Sequence, residues 1–276
     1  MILEGNVDIS YQNLAFFPVF LSSLDIQDNK LTNLSLEGNL ISSITPLLGL
    51  LTNLTHLNLS NNQIKVLPNS IGYLTLLVEL NLSNNQLERI PDSITKLTKL
   101  EILLLDENQL TQLPTDIGVL TSLEGLYINE NSLINLPTSI GQLNQLTELY
   151  VSNNMLDNIP TSLFNLSKLN TLNLSNNEIK EINFKDNNLK SLMILILTFN
   201  QLKELDTIQY IPSLIRISAG FNQILEFPLK CLDLPNLHVL DLSHNLMDQL
   251  PNVPSRIQFN SAGNPANLHV ESFRVM

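Results

Sequence analysis

Asparagine recurs along the chain at a nearly fixed interval, and this interval constrains the fold more than any other feature of the sequence. Eight asparagines, from Asn39 to Asn200, lie 23 residues apart, and the series continues at Asn222 and Asn245 after steps of 22 and 23 residues. Self-similarity at a fixed period indicates a repeat architecture in which each unit packs against its neighbours. The sequence therefore predicts an array of units rather than one globular core.

The residues around these asparagines repeat as well, and their spacing predicts a short β-strand in each unit. One copy of the motif L-x-x-L-x-L-x-x-N-x-L begins at Leu77 and ends at Leu87. Alternation places Leu80 and Leu82 on one side of a strand and Asn81 on the other. Because so short a strand is not stable alone, we expect the units to stack into one parallel sheet over a continuous hydrophobic core.

The recurrent asparagine is expected to hold adjacent units together. Its side chain offers both a carbonyl oxygen and an amino group, so it can accept from and donate to main-chain groups that a turn leaves unpaired. An aspartate in the same place could not donate.

A second motif, L-P-x-x-I-G-x-L, fills the other half of most units, as at Leu67–Leu74. Proline fixes φ and lacks an N–H donor, which favours a turn into a short return segment. The two motifs together resemble the leucine-rich repeat family over nearly the whole chain. The L-P form, with its period of 23 residues, is similar to the Ras-associated intracellular group. Residues 181–212, with Phe184, Ile208 and Ile211 as expected core residues, look more like the repeats of protein phosphatase regulators.

The resemblance implies an α/β solenoid. We expect a horseshoe with a parallel β-sheet on the concave face and short 3₁₀ or irregular segments on the convex face. The whole chain, residues 1–276, is predicted to be a single domain. Its parts are an atypical N-terminal cap or repeat in residues 1–30, about ten repeats in residues 31–250, and a shortened last repeat with a tail in residues 251–276.

The boundary at residue 30 is predicted because two matches to the strand motif lie too close together. The match ending at Asn29 precedes the match ending at Asn39 by only ten residues, so both cannot be full repeats. An atypical first unit would cover the exposed end of the core.

Charge and composition disfavour several classes of function. The chain has 14 Lys and Arg against 26 Asp and Glu, a net charge of −12 that would repel a nucleic-acid backbone. Its single cysteine cannot form an internal disulfide. The first residues lack the basic start of a signal peptide, and no apolar stretch approaches the ~18 residues of a membrane-spanning helix. We therefore expect a cytoplasmic protein that neither binds nucleic acid nor inserts into a membrane.

No group of residues has the spacing of a catalytic, cofactor or metal site. Cys231 has no histidine near it at a catalytic spacing, and the nine glycines are all single residues, three of them in I-G-x-L turns. His238, Asp241 and His244 lie close in sequence, but a metal site needs more convergent ligands than this repeat supplies. The sequence predicts neither an enzyme nor a bound cofactor or metal.

Side chains that flank the two strand leucines project from the concave face, and in most units they are small and polar. In the middle of the array they change to Ile102, Leu104, Tyr127 and Tyr150. The last three fall at one position in consecutive units, so they should form an apolar and aromatic strip with a spacing of ~4.8 Å per unit. We interpret this strip as the centre of a partner-binding surface.

Carboxylates are expected around the strip. They are Glu79, Glu101, Asp106, Glu107, Glu124, Glu130 and Glu148. A rim of this charge favours a partner segment that is basic at its edges and apolar at its centre. The alternative is that exposed tyrosines and acidic residues only keep a solenoid rich in Leu and Asn soluble. Neighbouring units favour the binding interpretation, because Asn and Ser suffice there.

A second patch of apolar side chains is predicted in the C-terminal units. It consists of Met193, Ile194, Ile196, Phe199, Ile215 and Phe221. Their density suggests a protein interface, which includes self-association into a homo-oligomer. The alternative is that the irregular convex segment nearby folds over them.

Three residues near the end, Arg256, Ile257 and Phe259, resemble the short docking motif of protein phosphatase 1 regulators. A peptide of this kind binds by adding an edge strand. The same residues also fit the last repeat, where Ile257 and Phe259 would pack into the core.

These patterns predict a non-enzymatic protein–protein interaction module, a scaffold or adaptor in intracellular signalling. The resemblance implies a small GTPase or a protein phosphatase as the partner. A second hypothesis is a targeting or regulatory domain of a larger signalling enzyme, such as a phosphatase, kinase or cyclase. A weaker third hypothesis is a cell-surface pattern binder, which an upstream secretion signal would favour.

Overall fold

In a computed structural model, the chain forms one sheet of parallel strands that follow one another in sequence order. The structure describes residues 4–18 and 30–267. Its twelve strands are Glu4–Asp8 (β1), Lys30–Ser35 (β2), His56–Asn58 (β3), Glu79–Asn81 (β4), Ile102–Leu104 (β5), Gly125–Tyr127 (β6), Glu148–Tyr150 (β7), Thr171–Asn173 (β8), Ile194–Ile196 (β9), Arg216–Ser218 (β10), Val239–Asp241 (β11) and Gln258–Asn260 (β12).

Most return segments on the convex side contain one short 3₁₀ helix. These helices are Pro46–Leu50, Asn69–Tyr73, Asp92–Lys96, Ile117–Val119, Thr138–Gln142, Thr161–Asn165, Asp206–Tyr210 and Leu229–Asp233. Five of them follow directly on a proline with φ between −73° and −63°, because the proline ring restricts that angle. The predicted horseshoe solenoid, with strands on one face and short 3₁₀ segments on the other, is confirmed.

One continuous core lies between the sheet and the return segments. Leu80 and Leu82 are fully buried, whereas Asn81 between them is partly exposed, as alternation along a strand requires. Ile71 and Leu74 of a return segment close the core from the convex side. Each repeat therefore buries the apolar surface that its neighbour cannot cover alone.

Asparagine side chains connect each repeat to the one before it. The side-chain oxygen of Asn131 accepts from the main-chain N–H of Leu110 at 2.9 Å, and its amino group donates to the carbonyl of Leu105 at 3.0 Å. Both partners belong to the preceding repeat. The amino group also donates to the carbonyl of Asn129 in its own turn. The predicted donation and acceptance between adjoining repeats is confirmed.

The same arrangement recurs along the array. We call these residues the ladder asparagines: Asn62, Asn85, Asn108, Asn131, Asn154, Asn177, Asn200, Asn222, Asn245 and Asn264. All of them are buried. Each therefore satisfies main-chain groups that water cannot reach.

The return segment between β8 and β9 departs from the pattern, as the sequence predicts near residue 181. It contains turns in place of a 3₁₀ helix. Phe184 fills the core there and packs on Phe164, with ring centroids 5.2 Å apart. Ile208 and Ile211 are buried as well, which confirms the three expected core positions.

Atypical units continue the sheet at both of its described ends. β1 pairs in parallel with β2, and the side chain of Asn39 accepts from the N–H groups of Gln12 and Leu14. At the other end, Asn264 continues the ladder after a shorter step from Asn245. The described sheet therefore has twelve strands although only about ten units match the motif well, because degenerate units keep the strand pairing.

Two parts of the predicted organisation lie outside the described residues. They are the motif match at Leu21, Leu24, Ile26 and Asn29 in the N-terminal unit and the tail from residue 268 onward. The division of the chain into cap, repeats and tail stays a prediction.

Asn131→Ala should lower the free energy of unfolding by about 1–3 kcal/mol, because the N–H of Leu110 would stay buried without a partner and the carbonyl of Leu105 would keep only its hydrogen bond from Asn108. Urea unfolding followed by circular dichroism measures the change. The control is Asn144→Ala, since Asn144 is exposed on a convex turn and its loss should cost at most about 0.5 kcal/mol. An unchanged unfolding curve for Asn131→Ala would contradict the role of the ladder.

Candidate binding surface on the concave face

The strand register aligns outward-facing residues of successive repeats into rows across the concave face. Leu104 is paired with Tyr127, and Tyr127 with Tyr150, which confirms the predicted strip. Ile102 lies in the adjacent row, two residues earlier on β5. All four side chains are half-buried. We call Ile102, Leu104, Tyr127 and Tyr150 the tyrosine patch.

Tyr127 lies against its own strand because that strand begins with a glycine. The ring covers Gly125 so closely that a Cβ atom added there would lie 2.8 Å from ring atom Cε2. The Tyr127 hydroxyl donates to the carboxylate of Glu148 on β7 at 2.5 Å. Its ring stacks on Tyr150 with centroids 5.3 Å apart and planes 13° apart. Gly125 was not among the site residues expected from the sequence. It could have been found as a glycine at a position where the neighbouring strands carry longer side chains.

Both tyrosines are held in the neutral form. Burial raises the pKa of Tyr127, and the hydrogen bond to Glu148 raises that pKa further. Burial also raises the pKa of Tyr150, and the charge of Glu148 adds to the effect. Each ring therefore presents an apolar body with a polar tip, which suits a protein contact.

A negative rim surrounds the tyrosine patch. The outward positions of β4–β7, the residues directly before β5 and β6, and the turns after these strands carry the seven predicted rim carboxylates and no Lys or Arg. Four of the predicted rim residues are exposed: Glu101, Glu107, Glu124 and Glu130. Glu79 and Glu148 are half-buried, and Glu148 is engaged by Tyr127. Uncompensated charge of this kind attracts cationic segments and repels anionic ones.

Asp106 has a structural role that the sequence pattern does not reveal. In other repeats the residue at the outward strand position, such as Asn58 or Asn81, accepts from the main-chain N–H two residues later. We call this hydrogen bond the turn cap. Behind Tyr127 the acceptor is instead Asp106 of the preceding repeat, which binds the N–H of Asn129 at 2.7 Å.

The displaced turn cap continues one repeat further. The side chain of Asn129 accepts from the N–H of Ser152 at 2.9 Å, behind Tyr150. Burial raises the pKa of Asp106, while its hydrogen bonds from Asn129 oppose the rise. Asp106 is therefore part of the support for the two tyrosine repeats rather than a free rim carboxylate.

One turn residue in each repeat has a left-handed backbone conformation. It immediately precedes the asparagine of the repeat motif, and its φ lies between 50° and 76°. We call this series the left-handed positions. Asn and Gly tolerate such a φ and occupy most of them. The exceptions are Glu107, Glu130, Phe199, Phe221 and His244.

The second predicted patch is open to solvent. Met193, Phe199, Ile215 and Phe221 are between 37% and 47% exposed, and Ile194 and Ile196 are half-buried. The convex segment therefore does not fold over them. Phe199 stacks on Phe221 with centroids 4.2 Å apart, and Phe221 stacks on His244 at 4.1 Å, both with planes 14° apart. We call Phe199, Phe221 and His244 the aromatic row.

The residues that resemble a phosphatase docking motif belong to the last repeat. Ile257 is buried, and Phe259 on β12 packs edge-on against Phe227 with centroids 5.6 Å apart. The guanidinium of Arg256 donates to the carbonyl of Leu232 at 2.6 Å. This placement fits the core-packing alternative, and docking through the segment stays a prediction that requires the strand to detach.

Cys231 is a buried core side chain. Burial raises the pKa of its thiol to about 12, which disfavours the reactive thiolate. Within residues 4–18 and 30–267, no group of His, Cys, Asp and Glu side chains converges as metal ligands would. In the same part of the chain, no helix has the length and apolar character needed to cross a bilayer.

Comparison with known sequences gives one family. The leucine rich repeat family matches residues 29–87 and 98–156. No curated protein matches the chain.

Solved structures agree with that family. The chain is similar to a leucine-rich repeat protein of Leptospira interrogans, at 29% identity and a TM-score of 0.84, over 94% of this chain and 72% of the other. It is also similar to the plant peptide hormone receptor RGFR1 in complex with RGF2, at 28% identity and a TM-score of 0.79, over 96% of this chain and 46% of the other.

A third similar structure is the leucine-rich repeat ectodomain of the receptor kinase GASSHO1/SCHENGEN3 from Arabidopsis thaliana in complex with Casparian strip integrity factor 2. It has 28% identity and a TM-score of 0.67, over 94% of this chain and 34% of the other. The chain thus spans less than half of either plant receptor chain.

Glu148→Gln should lower the pKa of Tyr127, because it removes the carboxylate that accepts from the hydroxyl. Ultraviolet absorbance titration at alkaline pH measures the change, and Tyr127→Phe identifies the signal. The folded state holds this proton more tightly than the unfolded state. The free energy of unfolding of the wild-type chain should therefore fall as the pH rises above the pKa of a tyrosine in the unfolded chain. The free energy of unfolding of Glu148→Gln should fall less over the same range.

The matched control for this titration is Glu79→Gln. Glu79 lies in the same row as Glu148 but two strands away from β6. Replacement of Glu79 should leave the pKa of Tyr127 unchanged. A titration of Glu148→Gln identical to that of wild type would contradict the arrangement.

Proposed function

Because the chain is a leucine-rich repeat protein, we propose that it is a non-enzymatic binding module that holds a partner protein on its concave face. The tyrosine patch is the centre of the contact. The module serves as a scaffold or adaptor in intracellular signalling. Its single cysteine favours the cytoplasm, where thiols remain reduced.

One observation carries the proposal: two stacked tyrosines lie where several other repeats place asparagine. Asn58, Asn81 and Asn173 occupy the same row and cap the turns of their own repeats. Tyr127 and Tyr150 do not accept this hydrogen bond in their own turns. An asparagine there therefore serves the turn, whereas a tyrosine does not. Stacked tyrosines instead offer a rigid apolar surface of the kind that dominates binding hot spots.

The rim defines the chemistry of the partner. Its contacting segment has apolar side chains at the centre, which pack on Tyr127 and Tyr150. Lys or Arg residues at the edges of the segment reach exposed carboxylates such as Glu101, Glu124 and Glu130. Association of this kind is accelerated by electrostatic steering and weakened by salt.

Similar structures support a protein ligand. Two of them are plant receptors solved in complex with RGF2 and with Casparian strip integrity factor 2. Family analogy supports a small GTPase or a protein phosphatase as the signalling partner of this chain. A basic surface segment on either would complement the acidic rim.

A second candidate function is a targeting or regulatory domain of a larger signalling enzyme, such as a phosphatase, kinase or cyclase. One similar structure favours it, because it is the leucine-rich repeat ectodomain of a receptor kinase. In both candidates the tyrosine patch binds the partner. The sequence of the native transcript would decide between them.

Replacing Tyr127 and Tyr150 together with Ala should abolish partner capture and leave the melting temperature nearly unchanged, because both rings lie outside the main core. Affinity capture from native lysate with quantitative mass spectrometry measures the loss. Raising the salt concentration should weaken capture by the wild-type chain.

The matched control is Tyr73→Ala with Tyr210→Ala. These tyrosines are 61% and 45% exposed on convex 3₁₀ helices, so capture should persist. Equal capture by the Tyr127/Tyr150 variant would place the binding site elsewhere. A lost fold would show that the two rings are structural.

A further inference from the structure

The left-handed positions follow a pattern that packing of the core does not explain. Six of the eleven, counted from Gly38 to Gly263 in the described chain, are Asn or Gly. The five exceptions fall into two groups. Glu107 and Glu130 lie beside the tyrosine patch, and Phe199, Phe221 and His244 form the aromatic row.

These exceptions are unfavourable for the backbone. A side chain with a Cβ crowds the following carbonyl oxygen when φ is positive, and Asn tolerates this because its short polar group bonds locally. Bulky residues such as Phe199 and Phe221, at φ of 57° and 54°, lack that compensation. Strained conformations of this kind are concentrated at functional sites.

The rings of the aromatic row contribute little to the core. Phe199 and Phe221 are 47% and 41% exposed, and His244 is exposed. Their stacking holds three rings side by side along the turn edge of the concave face. At the end of the row, the ring of His244 lies over Gly263, where a Cβ atom would clash. The row is thus an ordered apolar surface in contact with solvent.

We propose that the aromatic row is a second subsite for the same partner segment that the tyrosine patch binds. This inference rests on the proposed function and specifies the ligand. The occupant is one extended protein segment in which Lys or Arg residues flank the apolar residues that pack on Tyr127 and Tyr150, and the end away from these basic residues is apolar or aromatic. The basic end lies over Glu107 and Glu130, and the apolar end packs on Phe199 and Phe221.

Distance along the sheet sets the length of the segment. Five strand spacings separate Glu107 from Phe221, which is ~24 Å at ~4.8 Å per strand. An extended chain covers this distance with about seven residues at ~3.3 Å each. Asn153 and Asn176 lie between the two ends and present polar side chains to its middle.

Charge favours this occupant over a second copy of the chain. The carboxylate rim needs a cationic segment, whereas the chain carries a net charge of −12. Among the outward strand positions of β9–β11, Arg216 and Asp241 balance each other. The aromatic half of the surface therefore accepts an uncharged end, while the rim selects a basic one.

The test uses a displayed library of random 12-residue peptides selected on the wild-type chain. Selected peptides should carry Lys or Arg toward one end and apolar or aromatic residues toward the other. The variant Phe199→Asn/Phe221→Asn/His244→Asn should weaken their binding by about tenfold or more. Its melting temperature should fall by no more than about 3 °C, or should rise, because Asn suits a positive φ.

The matched control exchanges three exposed convex residues, Tyr73→Asn, Tyr210→Asn and Leu229→Asn, and should bind the peptides as wild type does. Peptides that need the tyrosine patch but bind the triple Asn variant of the row at full affinity would overturn this inference and leave the proposed function standing. Peptides that depend on neither site, or a library that yields no binders, would count against both. Unfolding of the triple variant would show that the aromatic row is structural, which also overturns the inference.

Discussion

The hydrogen bonds between each ladder asparagine and the main chain of the preceding repeat are the interaction on which the rest of the structure depends. The amide both donates and accepts, so one side chain satisfies an N–H and a carbonyl that the turn leaves buried. This contact fixes how far one repeat can shift against the next. It thereby sets the strand register, and the register aligns Leu104, Tyr127 and Tyr150 into a single strip.

Much of the fold could be predicted from the sequence because it follows from local periodicity. The alternation of Leu80, Asn81 and Leu82 specifies which side chains are buried. The regular recurrence of the asparagines specifies which residues meet across strands, which is why the tyrosine strip could be predicted. The terminal strands were harder to predict, because they pair correctly without matching the motif. Short motifs without a period are the least informative, since Ile257 is a core residue in the structure.

The remaining features of the site could not be predicted because they depend on how neighbouring side chains meet. Gly125 matters only because the ring of Tyr127 occupies the space above it. Asp106 reads as one more acidic rim residue, yet it accepts the main-chain hydrogen bond that Tyr127 cannot accept. The strain in the aromatic row is visible only from the backbone angle of residues such as Phe221. Each of these compensates for, or results from, a departure from the repeat consensus.

The displaced turn cap has a consequence for how the array can change in length over evolution. A repeat that caps its own turn can be duplicated or deleted as a unit by unequal crossing-over, because donor and acceptor move together. The acceptors Asp106 and Asn129 lie one repeat upstream of the groups that they bind, so a deletion in this stretch separates a turn from its acceptor. A change in repeat number there must therefore keep an Asp or Asn one repeat upstream of each tyrosine, a condition that a repeat with its own turn cap does not impose.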